Sequence, residues 1–150
     1  MKILIRKSGN LRDSIPIDGE YYLLSQLRLD NIKSGDIYRI DSELQAESKG
    51  LKKGDFAFYV TTEIRTSIVE NPVYNKGETE NERIIAENLG NNLRDRTQHY
   101  LRDNRSGYFD ARKDYLVVYI NLWVKSDSTQ TSKGDKCYFK EHTVLTAFYI

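Results

Sequence analysis

The sequence predicts an α+β domain, a mainly antiparallel sheet with one long helix packed on it. Three observations predict this class. Short β-branched and aromatic runs fill the first half, "KILIR", "EYYLLSQLRL", "DIYRI" and "DFAFYVTTEI", separated by glycine-containing turns. A stretch with a helix-start signal and helical apolar spacing follows at about 80–103. Two more apolar runs, "DYLVVYINLWVKS" and "YFKEHTVLTAFYI", then close the chain as a hairpin. The length of 150 residues suits a single α+β domain over 1–150. A subdivision into a β-rich part, 1–72, and a helix-plus-hairpin part, 79–150, is also compatible with it.

In chain order, "KSGD" and "KKGD" place a glycine where a turn needs positive φ, just before the next strand. "DSELQAESKG" reads as a short helix near 42–49, capped by Asp41 or Ser42 and ended by Gly50. In "ENPVYNKGE", Pro72 disfavours helix before it and Asn75 to Gly77 form a turn. The long helix starts from Thr79 and Glu82, whose spacing is that of a capping box. Ile85, Leu89, Leu93 and Tyr100 then recur at helical spacing. "NRSGYFDARKD" is a loop. After it Leu116, Val118, Ile120, Leu122 and Val124 share one strand face, which must be core. Tyr115, Val117, Tyr119, Asn121 and Trp123 share the other, suited to a thin second layer or a ligand platform. The terminal run is apolar enough to need pairing on both edges, so it belongs inside the sheet.

Composition narrows the function classes. A net charge of +1 argues against a broadly basic nucleic-acid surface. The charge is uneven, however: Arg94 to Lys113 holds six cations and three anions. Eleven tyrosines supply amphipathic contact surface. The single cysteine, Cys137, excludes an internal disulfide and a multi-cysteine zinc site, and reads as a small buried residue. No phosphate loop, nucleophile elbow or metal triad is present, so neither metal nor cofactor is expected. No run approaches the roughly 18 apolar residues of a membrane helix, and the N-terminus is unlike a signal peptide. A cytoplasmic protein without membrane contact is the expectation.

On the long helix, Arg96 falls within the apolar stripe and His99 at its edge. A guanidinium so placed needs an anionic partner, either an internal carboxylate or a substrate phosphate. On the terminal strand Lys140, His142, Val144, Thr146 and Phe148 share a face. A helix over that face would gather His99, His142, Arg96, Lys140 and Thr146 in one cleft. One imidazole could then take a 2′-hydroxyl proton and the other protonate the leaving oxygen, with a cation on the phosphorane. Arg102, Tyr119 and Trp123 would extend the substrate contacts. The partner would be RNA, with tRNA a specific candidate.

The basic helix, the hydrophobic hairpin and the closing "HTVLTAFYI" resemble the barnase/EndoU/colicin/RelE-like ribonuclease superfamily over about Thr79 to Ile150. The resemblance implies a metal-independent, toxin-like ribonuclease. It puts Thr146 at the family's strand threonine, Tyr149 near its aromatic, and Arg96 or His99 at its basic positions. The alternative expectation is a non-catalytic protein-binding module, such as an immunity protein, an inhibitor or a phage or mobile-element accessory factor. Tyr115, Tyr119 and Trp123 would then anchor a protein partner.

Overall fold

Buried residues alternate with exposed or half-buried ones along 37–47 and most of 102–111, the signature of strands with one face in a core. The computed structural model describes residues 3–49, 58–78, 82–93, 100–128, 136–140 and 143–150. Among them are ten strands: β1 (Ile3–Ser8), β2 (Ser14–Pro16), β3 (Tyr21–Ile32), β4 (Ile37–Lys49), β5 (Phe58–Ser67), β6 (Glu82–Leu93), β7 (Tyr100–Asp110), β8 (Tyr115–Ser128), β9 (Lys136–Phe139) and β10 (Val144–Tyr149). All their pairings are antiparallel.

The strands form two sheets. The four-stranded sheet runs β3-β8-β5-β6. In the six-stranded sheet β4 is the spine: β7 pairs with it along one side, while β10 and β9 share the other, flanked by β1 and β2 respectively. Ile40, Leu44, Leu145 and Ala147 of one sheet meet Leu27, Ile64, Ile120 and Leu122 of the other in a single core. Burying each of the larger side chains contributes about 1.5–3 kcal/mol relative to leaving it in water. The molecule is therefore an antiparallel two-layer sandwich.

The α+β expectation is overturned, and with it both helices. The segment predicted as a short helix at 42–49 is the second half of β4, with Ser42, Leu44 and Ala46 buried between exposed or half-buried neighbours. The predicted long helix at 80–103 is strand β6 over 82–93, and β7 has begun by Tyr100. The helix formers in both segments are outweighed by ladder hydrogen bonds, from β4 to β7 and from β6 to β5, which no single-residue propensity reports. No helix long and apolar enough to cross a membrane occurs among the described residues.

The expected closing hairpin also fails, because β8 lies in the four-stranded sheet whereas β9 and β10 lie in the six-stranded one. The interior position of the terminal run matches. β10 lies between β1 and β4, and β9 between β2 and β4, so the terminal run is interior to its sheet. Its two halves are offset by a bulge, Phe139 pairing with Ala46 and Val144 with Glu43. Thr143 pins this bulge, its Oγ1 accepting from the Gln45 N–H (3.0 Å) and donating to the Gln45 carbonyl (3.2 Å). In β8, Val118, Ile120, Leu122 and Val124 face the core as expected, whereas Leu116 at the strand's start stays 82% exposed.

Candidate functional site

Two features could carry function: a buried polar cluster on the outer face of the four-stranded sheet, and an open cleft at one flank of the sandwich. The cluster grows from alternation. Glu63, Arg65 and Ser67 of β5 point away from the core, beside Trp123, Asn121 and Tyr119 of β8. The connecting segment 68–78 folds back over this face as the thin second layer that the aromatic strand face predicts. Gln26 Nε2 donates to the Glu70 carbonyl (2.6 Å) and Ser67 Oγ to the Val69 carbonyl (2.7 Å). Tyr74 stacks on Tyr21, with ring centroids 4.1 Å apart, and meets Trp123 edge-on at 5.3 Å.

Arg65, with no solvent exposure, is the centre of the cluster. Its Nε and Nη2 lie 2.7 and 2.6 Å from Glu63 Oε2, and its Nη1 pairs with Glu82 Oε1. Nη1 also donates to the carbonyls of Asn75 (2.8 Å) and Gly77 (3.1 Å). Gly77 has φ of 80°, a conformation that favours glycine, so "NKG" supplies the turn delivering these carbonyls. Tyr74 donates its hydroxyl to Glu63 Oε1 at 2.9 Å. Burial and then the Glu63 carboxylate push the Tyr74 phenol up to about 12, and burial raises Tyr21 further in the same direction. For Arg65, burial alone would lower the pKa; Glu82 and Glu63 together outweigh it and hold the guanidinium charged. Two carboxylates committed to one guanidinium under an aromatic cover form a structural clasp rather than an acid–base pair.

The cleft lies where the start of β6 and the end of β7 fail to close on each other. It encloses about 690 Å³. One wall carries Thr66, Glu78, Arg83 and Ile85; the other carries Tyr108, Phe109, Asp110, Arg112, Lys113 and Tyr115. Pairing of Thr66 with Arg83, next to Ser67 with Glu82, explains the first wall. Glu82 is drawn outward to Arg65, so its neighbour Arg83 projects to the opposite side of β6. The Glu78 carboxylate accepts the Ile84 N–H at 3.1 Å and holds the approach to β6.

The second wall is set by the "KSGD" turn. Gly35, at φ 94°, donates to the Ala111 carbonyl (2.7 Å), and the Ala111 N–H donates to the Asp36 carbonyl (2.9 Å). The Ser34 N–H donates to Asp114 Oδ1 at 2.8 Å. Thus Arg112 and Lys113 sit on a loop fixed at both ends. Lys113 Nζ stands 5.2 Å from the centre of the Tyr115 ring, and Phe109 meets Tyr115 edge-on at 6.2 Å. Tyr108 is 59% exposed at the rim. Arg83, Arg112 and Lys113 form no ion pair among the described residues. Three cations without an ion pair among the described residues, lining one cleft with aromatic rings, are chemically equipped to hold a phosphate-bearing ring compound.

None of the described residues nominated from sequence for the ribonuclease site lines the cleft. Arg96, His99 and His142 fall outside the described residues. Thr146 pairs in register with Asp41 and Lys7, and Arg102 with Gln45, which puts both on the outer face of the six-stranded sheet. Lys140 Nζ is 3.1 Å from Glu47 Oε1. Tyr149 sits at the sheet's end, donating to Asp36 Oδ1 at 3.2 Å. Tyr119 and Trp123 occupy the outer face of the other sheet, with Trp123 buried under Tyr74. The helix on which the ribonuclease resemblance relied is strand over 82–93. Arg112 and Lys113 belong to the cation-rich stretch legible in the sequence; Arg83 and Tyr108 carried no comparable signal.

No protein-family model matches the chain, and no curated protein matches it. Its class is known from structure alone, an antiparallel β-sandwich with one open flank.

Proposed function

We propose that this chain is a binding protein whose open flank holds a nucleotide unit, a planar ring carrying phosphate. The observation that carries this reading is that Arg83, Arg112 and Lys113, which form no ion pair among the described residues, line one cleft with Tyr108 and Tyr115. The cleft's size lies in the range of small-ligand sites. The guanidinium groups would take phosphate oxygens, a tyrosine ring would stack on the base, and Asp110 would accept from a sugar hydroxyl or base N–H. A net charge of +1 fits a local anion site better than a long polyanion track.

The nucleotide unit could be free or part of RNA. Titration with adenosine and uridine 5′-monophosphates, and separately with a labelled eight-nucleotide single-stranded RNA, distinguishes the two. Binding of the mononucleotides identifies a free ligand, and binding of the oligonucleotide alone identifies RNA. In either case Arg112→Ala with Lys113→Ala weakens binding at least about tenfold, the loss expected for charge-assisted hydrogen bonds. No binding of any probe at millimolar concentration, or binding indifferent to that double substitution, overturns the proposal.

A further inference from the structure

The flank opposite the cleft has a different character. β1 borders the six-stranded sheet with β10 as its partner, leaving its other edge without a strand among the described residues. Ile3, Leu4 and Ile5 are 53, 57 and 48% exposed. Ile3 and Leu4 point to opposite faces and both are exposed, so neither face of β1 is covered there; Ile5 sits at a bulge between the pairings of Leu4 and Arg6. The apolar surface continues through Tyr149, in register with Ile3, to Ile150, whose N–H donates to the Ile37 carbonyl at 3.0 Å. Ile37 and Ile150 are themselves exposed.

Natural sheets protect such edges, because unpaired backbone groups beside apolar side chains recruit another strand. Here Arg6 and Lys7 are exposed and form no ion pair among the described residues, and β1 contains no acid. A second copy of β1 would bring two more cations to the same seam, where like charges in neighbouring positions are destabilising. We infer that β1 is a docking edge for an extended segment of another protein, in which a short apolar run adjoins a pair of consecutive acids, since Arg6 and Lys7 lie on opposite faces of the sheet. The segment's backbone would extend the sheet, its apolar side chains would cover Ile3 to Ile5, and its acids would meet Arg6 and Lys7.

The test uses the whole chain and fluorescein-labelled seven-residue peptides in which a run of valines adjoins either two consecutive glutamates or two consecutive lysines. The glutamate peptide is expected to bind, and the lysine peptide at least tenfold more weakly. Arg6→Glu with Lys7→Glu, both exposed positions, should reverse that preference. N-methylation of alternate backbone nitrogens in the glutamate peptide should abolish binding. Ile3→Thr with Ile5→Thr, which keeps strand-forming residues, should weaken it severalfold. Equal binding of both peptides, indifference to charge reversal or N-methylation, or no binding at millimolar concentration overturns the inference. So does a wild-type dimer in light scattering that is lost with Ile3→Thr and Ile5→Thr, since the edge would then take a second copy.

Discussion

Arg65 illustrates how one residue can organise a face of the molecule. Its guanidinium ties β5 to β6 through Glu82 and ties the covering segment to the sheet through Asn75, Gly77 and, by way of Glu63, Tyr74. Removing a partner from a buried ion cluster costs more than the cluster contributes, because the remaining charges stay in a poor solvent. Arg65→Ala should therefore lower stability by about 3–5 kcal/mol in urea unfolding. Replacing the whole clasp, Arg65→Met with Glu63→Leu, Glu82→Leu and Tyr74→Phe, should recover most of that loss. Titration adds a second expectation. The Tyr74 phenol and the Cys137 thiol are both raised to about 12, chiefly by burial, from ordinary values of 10.0 and 9.0. Folding thus favours their protonated forms. Their contribution is complete below the unfolded-state values and is lost as pH rises through the folded ones. Stability should fall progressively from about pH 9 towards 12. Unfolding curves collected across that range check it, and Tyr74→Phe should flatten the upper part.

At the scale of elements, the sequence made several strands legible and three misleading: β4, β6, and β7, which read as a helix end and the loop "NRSGYFDARKD" but is strand to Asp110. "EYYLLSQLRL" and "DYLVVYINLWVKS" combine β-branched and aromatic residues with a period of two, and they pair as neighbours β3 and β8. β4 and β6 contain Glu, Gln, Ala, Leu and Asn, which carry no strand preference of their own. For β4 the period was nevertheless present: Ser42, Leu44 and Ala46 face inward. Helix-forming composition concealed it. In β6 the spacing of Ile85, Leu89 and Leu93 coincides with helical periodicity, and a bulge between its pairings with Ile64 and Arg65 disrupts strict alternation. The bulge in the terminal strand was equally hidden, since it depends on where β9 and β10 each meet β4. Thr143 holds it, so Thr143→Val should cost about 1–2 kcal/mol through lost hydrogen bonds to Gln45, measurable in thermal or urea unfolding.

For the whole molecule, the two sheets share one core but leave their flanks unequal. One flank exposes an apolar edge, and the other gapes into a cleft lined by cations without an ion pair among the described residues. This second feature was half legible in the sequence. The charge excess ending at Lys113 marked part of the wall, whereas Arg83 joins it through strand pairing thirty residues upstream. If an RNA strand occupies the cleft, counterion release from at most three cations limits the salt dependence. The slope of log affinity against log salt should then be no steeper than about two. A much steeper slope would require a longer basic track.

The most direct test of the nucleotide site is amide chemical-shift mapping at saturating adenosine 5′-monophosphate. Shifts concentrated at Arg83 to Ile85 and at Tyr108 to Tyr115 are the predicted result. Shifts centred on Tyr74 and Trp123, or none above background, would contradict it.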